Sequence, residues 1–411
     1  MGDKDRPMEF LVSRLVMHTN LSLSNTCLLF IFAALIRPGL LWAAPEDTLS
    51  PYIARSISYD DNFFRLTTNP ESEKIKQTIA GVKLNWKQSR QNVVIDASVA
   101  NTKFDRFSEL DYLGKNFLAL WNWQLGNDFN GAAGYTYVKT LGSYAETQQV
   151  VNNLITQQHT FFDGAWQVHS RLRLNGAISR DTYSQPSSSA NGNETMNYEA
   201  DAYYTPPSGN ELGVRAMHQV GIYPVEQLVD GTLVNNNYTQ DELLATIYWL
   251  YSGHIQANGQ AGVVSRKQEQ LSARDFSGTT MRGKITWLAT GKSNVDVSVW
   301  DEVDAYDDLT TSYTLSKGVS LGAIWNPTAK VSVTAKIQHV GRDFLGDPGL
   351  VLGPPQPVRH DNVNSASLFV AYQPIRAVNI SGSIQNEHRT SNQPSYDYAD
   401  NFVNLTISFE L

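Results

Sequence analysis

The groups that could carry out bond-making chemistry are few and poorly placed for it. Thr290-Gly291-Lys292-Ser293 ends like a phosphate-binding loop, in which backbone N–H groups cradle a phosphate and the lysine reaches it. Thr286 stands where that loop needs its first glycine, and the flanking pattern puts the stretch on a turn between strands, without the required helix. The sequence has no His-Glu-x-x-His, no Gly-x-Ser-x-Gly and no zinc-ligand spacing. His159, His169, His218, His254, His339, His360 and His388 are scattered. Asp301, Glu302, Asp304, Asp307 and Asp308 form an acidic group without the glycine and terminal glutamate of a calcium loop, and read as a solvated loop. No catalytic residue, metal or cofactor is expected, and the chain is not expected to be an enzyme.

A different chemistry is written at every second position. Lys83, Arg171, Arg173, Arg215, Arg282, Lys284 and Lys336 all alternate with apolar neighbours, as do Asp96, Glu199, Asp201, Glu211, Glu242 and Glu387. Side chains of one parity on a strand share one face, so these charges would line a single polar surface. An unpaired cationic strip there would contact anionic sugars; charges that pair across the surface would only keep it hydrated. Tyr112, Tyr203, Tyr248 and Trp300 share the parity, and would either stack on sugar rings or pack against a plug or loop.

The elements that must hold such a surface are strands. Val403, Leu405, Ile407, Phe409 and Leu411 are apolar, with Asn404, Thr406, Ser408 and Glu410 between them. The same period of two recurs in segments around 78–86, 93–99, 117–123, 162–168, 172–178, 196–204, 212–216, 243–251, 255–263, 281–287, 295–299, 319–325, 331–337, 366–372 and 378–384. With less regular strands near 52–59 and 129–138 the count is about 18, with 16 as the other reading, because those two strands have mixed parity. Links between strands alternate short and long along the chain, as they do when tight periplasmic turns alternate with extracellular loops. Trp86, Trp121, Trp123, Trp166, Tyr204, Trp249, Trp287, Trp325, Tyr372 and Phe409 fall at the same end of alternate strands, on the apolar face. Amphipathic rings favour a membrane–water boundary, so these residues form a membrane girdle, which a soluble sandwich has no reason to build. The expected fold is all-β: a transmembrane antiparallel outer-membrane β-barrel filling 44–411 as one domain. The mean hydropathy of −0.32 is compatible with this, since half of each strand faces a polar lumen. The formal charge of −8 argues against a nucleic-acid partner.

Residues 28–36 (LLFIFAALI) are an apolar run too short to span a bilayer, preceded by Arg6 and Arg14 and followed by Leu41-Trp42-Ala43. This is the pattern of a secretory signal peptide, with cleavage expected after Ala43 and translation starting at Met1, Met8 or Met17. The single cysteine, Cys27, lies within it, so no disulfide is expected in the barrel. The loop 341–361 contains Asp347-Pro348-Gly349 and Pro354-Pro355-Gln356-Pro357, and reads as an external flap or an inward constriction.

Tyr59-Asp60-Asp61-Asn62-Phe63-Phe64-Arg65 resembles the D-N-x-F-R motif at the start of the EpsL family of exosortase (PEP-CTERM)-associated outer-membrane proteins. The resemblance takes in the leader, the opening Leu49-Ser50-Pro51-Tyr52 and a barrel-length body. It implies a part in exopolysaccharide biosynthesis and export, as a passive conduit for the polymer. A general or oligosaccharide-selective diffusion porin is the alternative, and a non-conducting structural or assembly barrel of the secretion machinery is a third reading. Expected partners are outer-membrane lipids and lipopolysaccharide, extracellular polysaccharide, periplasmic polysaccharide export components and the barrel assembly machinery. Within the motif, Asp60, Asp61 and Arg65 are expected to form a salt-bridged turn at the extracellular rim, with sugar contact or gating as the sharper alternative.

Overall fold

The computed structural model describes residues 49–411 apart from 187–191, 230–231, 271, 306–310, 312 and 347–356. The leader, Cys27 and the acids Asp307 and Asp308 lie outside the described residues. Eighteen strands make the wall: β1 (Leu49–Asp60), β2 (Glu73–Gln88), β3 (Gln91–Phe104), β4 (Tyr112–Leu125), β5 (Phe129–Leu141), β6 (Leu154–His169), β7 (Leu172–Ser184), β8 (Asn193–Tyr204) and β9 (Glu211–Ile222) in the first half. The second half is β12 (Tyr238–Ser252), β13 (Ile255–Gln268), β14 (Phe276–Thr290), β15 (Ser293–Ala305), β16 (Tyr313–Thr328), β17 (Val331–Leu345), β18 (His360–Ile375), β19 (Val378–Ser391) and β20 (Tyr398–Glu410). Between the halves, β10 (Gln227–Val229) and β11 (Thr232–Val234) form a small hairpin outside the wall sheet.

Each wall strand pairs antiparallel with its neighbours in sequence, and β1 closes the sheet against β20 from Tyr52↔Glu410 to Asp60↔Phe402. Closure leaves no open edge, the condition for a sheet to cross lipid. The two strands of mixed parity belong to the wall, which fixes the count at 18 rather than 16. On β1 the outward row is Ile53, Arg55, Ile57 and Tyr59, and the inward row is Tyr52, Ala54, Ser56, Ser58 and Asp60. Its pattern is blurred because an arginine faces out while small and aromatic residues face in.

The outward rows form a continuous apolar belt. Ile285, Trp325 and Leu405 are more than half exposed to the surroundings, an arrangement that only a lipid solvent makes favourable. Trp86, Trp121, Trp166, Tyr204, Trp249, Trp287, Trp325, Tyr372 and Phe409 stand exposed along one rim of it. Trp123 is the exception: it lies flat over Gly131 and stacks on Phe162 at 5.9 Å. Register shifts follow the girdle residue on β6, β12, β14, β16 and β18, so the strands bend just below the rim, as bulges make them do. The chain is therefore an outer-membrane β-barrel. A Leu405→Arg substitution should destabilise insertion by about 2–4 kcal/mol, read by denaturant titration of folding into vesicles, whereas Thr406→Arg, pointing to the lumen, should not carry that lipid-facing cost.

Packing that a soluble protein would place between layers is found inside the barrel. Tyr52, Ala54, Ile79 and Ala100 cluster on the lumen wall of β1–β3. A larger cluster fills one side of the extracellular mouth.

Candidate functional site

That mouth cluster is built from three loops and the tops of the strands they join. Phe63 and Phe64 from the β1–β2 loop, Phe104 and Leu110 from the β3–β4 connection, and Leu141 and Tyr144 from the β5–β6 connection are all buried together. Phe64 is fully buried, with ring centroids of Phe107 and Tyr144 each 4.8 Å away.

The sequence motif holds the first of these loops to the wall. Arg65 bridges Asp60 at 3.0 Å and Asp400 of β20 at 2.9 Å. The Asn62 amide donates to the carbonyls of Leu66 and Ala399 and accepts from the Leu66 N–H. Asp61 accepts from the backbone N–H and the side-chain amide of Asn401, both at 2.7 Å. Asp60 and Arg65 thus form the expected salt-bridged turn, while Asp61 turns to β20 instead. Asp60, Asp61 and Asp400 place carboxylate oxygens within 4.8 Å of one another, the group among the described residues that could hold a metal, and Arg65 already supplies a cation between two of them. Asp301 and Glu302 of the acidic segment face opposite sides of the wall and pair with Lys317 and Arg282, so they form no common site.

The β5–β6 loop, 142–153, turns into the barrel and is tied at two points. Gln148 donates to the Arg65 carbonyl at 2.7 Å. Glu146 accepts from Arg389 of β19 at 2.7 Å and from Arg359, just before β18, at 2.9 Å. Arg389 also donates to the Ala145 carbonyl, and Arg359 is braced by Asp361. From β5 to β19 through β4, β3, β2, β1 and β20 is a third of the way round the wall, so the loop spans that arc of the mouth over the Phe63–Phe64 cluster. Burial pushes the Glu146 carboxyl up, but Arg389 and Arg359, with Arg342 nearby, outweigh it and hold it below the ordinary glutamate value. The charge that fastens the loop is therefore present at neutral pH.

Below the mouth, the wall charges are matched. Arg173 makes a two-pronged pair with Glu211 at 2.8 and 2.9 Å. Arg215 reaches Asp201 at 2.9 Å and Glu199 at 3.2 Å. Arg282 pairs with Glu302, Lys284 lies 3.7 Å from Asp296, and Lys83 bonds Glu410 at 2.8 Å. Lys336 sits in the field of Asp296, Arg282 and Lys284. Arg171 corrects the expectation: it lies exposed on the β6–β7 turn, beyond the strand end where parity ceases to assign a face. Pairing, rather than an open cationic strip, describes Lys83, Arg173, Arg215, Arg282 and Lys284. A Glu211→Gln variant should leave Arg173 without its carboxylate and shift ion selectivity toward anions, measured as a reversal-potential change under a salt gradient.

The lumen aromatics are likewise occupied. Tyr52, Tyr203, Tyr238 and Trp300 each stand directly across from a glycine (Gly81, Gly213, Gly221 and Gly318), and a Cβ at any of these would fall 2.1–2.5 Å from the ring. The rings lie flat over the bare backbone, the cross-strand arrangement that covers a glycine in a sheet. Tyr203 is buried and receives a hydrogen bond from Arg215, so it is wall rather than a free sugar platform. Tyr112 packs beside Phe104 and bonds Thr140. Tyr248 is part-buried with its hydroxyl toward Gln256 at 3.4 Å.

Glu146, Arg359, Asp361, Arg389 and Asp400 were not singled out from the sequence. Arg389, Asp361 and Asp400 do carry a signal, since each is a charge of inward parity at a strand top. Of the loop 341–361, residues 347–356 lie outside the described residues; the inward segment that is described is 142–153.

Residues 250–411 match the family model described as "Putative beta-barrel porin 2". No curated protein matches the sequence. Among solved structures, OccK2 (OpdF) of Pseudomonas aeruginosa aligns over 89% of this chain and 98% of its own, at 9% identity and a TM-score of 0.50. OccK9 (OpdG) of the same organism aligns over 89% and 99%, at 11% identity and a TM-score of 0.49. A BenF-like porin from Pseudomonas fluorescens aligns over 88% and 99%, at 11% identity and a TM-score of 0.47. The first shares the barrel fold, and the chain is porin-like in architecture.

Proposed function

We propose that this barrel is a passive diffusion porin of the outer membrane for small polar solutes, with the loop 142–153 as the constriction at its mouth. The observation that carries this reading is the Glu146 tether to Arg389 and Arg359, which ties a loop over one side of the mouth of a lumen lined by paired charges. Paired charges hydrate a passage without committing it to one sign of solute. The similarity of 250–411 to a porin family model supports the same reading. Export of an exopolysaccharide, with polymer and periplasmic export components as partners, rests on the family resemblance carried by 59–65, the leader, the opening Leu49-Ser50-Pro51-Tyr52 and the barrel-length body. Here residues 59–65 fasten a loop to β20, a task that any barrel with this mouth would need. Phe409, near the end of β20, is the residue we assign to recognition by the barrel assembly machinery.

Swelling of proteoliposomes in neutral sugars of rising size tests the proposal. Entry of mono- and disaccharides with a steep fall for longer oligomers is expected. No entry of any sugar overturns it, and periplasmic trapping of polymer after gene deletion would favour export instead.

A further inference from the structure

The outward face of the barrel is not uniform above the apolar belt. On β1–β5 its extracellular half carries Arg55, Lys74, Lys76, Lys103, Lys115 and Lys139. Lys76 and Lys103 reach Asp105 and Asp111. Among the described residues Arg55 bonds the Thr78 hydroxyl and no carboxylate. Lys115 and Lys139 have no carboxylate partner among the described residues, and they stand directly opposite each other in the β4–β5 register. Like charges facing across a strand pair repel, and the sheet gains nothing from placing them there. Elsewhere on the outward face Arg180 pairs with Glu194 and Lys317 with Asp301, so the wall does supply acids to cations that need them.

The position of the pair indicates what neutralises it. Lys115 is near the extracellular start of β4 and Lys139 near the end of β5, above the outward Phe117, Tyr135 and Tyr137 and far from the girdle at Trp121. Long lysine stems reach from the edge of an apolar belt to the headgroup layer, where phosphates are the available anions. We infer that Lys115 and Lys139 form a binding surface for the phosphates of lipopolysaccharide in the outer leaflet. The surface is independent of the lumen and of the proposed transport reading.

The test uses the purified full-length barrel in detergent, with fluorescent lipopolysaccharide and its phosphatase-treated form as probes. Native protein should bind the phosphorylated form more tightly, with affinity falling as salt rises. Lys115→Gln/Lys139→Gln should weaken that binding by about 30-fold, while Lys317→Gln, whose cation has an acid partner, should leave it near the native value. Folding of each variant is checked by heat-modifiable electrophoretic mobility; should the double variant not fold, the salt titration and the dephosphorylated probe on native protein decide alone. Equal binding of both probes, salt-independent binding, or an unchanged affinity in the folded double variant overturns the inference. So does lipid-free self-association abolished by the same substitutions, which would make the surface a contact between copies of the chain.

Discussion

Glu146→Gln opens the mouth: sugar-driven swelling of proteoliposomes should run several-fold faster than with the native chain, and Glu146→Arg faster still. Arg389 is almost wholly buried and Arg359 nearly so; both donate to this carboxylate, with Asp361 beside both. Removing one partner from a buried ion pair costs about 3 kcal/mol or more, enough to shift the tethered-to-released ratio of the loop by about two orders of magnitude. Acid should act in the same direction. The tethered state holds Glu146 below its ordinary value, so that state is favoured above the released glutamate's range and loses its advantage as pH falls through the depressed value. Swelling rates should therefore be flat from neutrality down to the ordinary glutamate range and rise below it. In Glu146→Gln this rise should be absent. An acid-induced rise that survives in Glu146→Gln would assign the pH effect to another group.

Phe64→Ala should loosen the same mouth without harming the barrel. The ring is fully buried among Phe63, Phe107 and Tyr144, and truncating a buried phenylalanine costs about 3–5 kcal/mol. That cost falls on the loops, because the strands keep their ladder hydrogen bonds. Limited proteolysis of the barrel in vesicles should show rapid cleavage within 62–72 and 142–153, while heat-modifiable mobility stays native. Unchanged cleavage would mean that Asp60, Asn62 and Arg65 hold the loop without the ring. Loss of the folded band would mean that the cluster supports the wall itself.

The wall was legible because one physical rule writes it everywhere. A strand with lipid on one side and water on the other must alternate, so Val403 to Leu411 declares its faces residue by residue. The girdle was legible for a related reason: rings such as Trp287 and Trp325 recur at one depth. The mouth was not legible, because its contacts join residues far apart in sequence that obey no period. Glu146 meets Arg389 across 243 residues, and nothing near either marks the other. Parity also reports only which face a side chain takes, and not what it meets there. It placed Arg173 and Glu211 in the lumen without showing that they pair, and it carried Arg171 past the end of its strand. The short motif 59–65 was conspicuous in sequence, yet its work is visible only once β20 lies beside β1.

Single-channel recording in a planar bilayer tests the central claim most directly. Native protein should give a steady, small conductance, and Glu146→Gln should give a larger one, with neutral sugar slowing ion flow in both. Silence in native protein, in Glu146→Gln and at acid pH alike would contradict a diffusion channel narrowed by the loop 142–153.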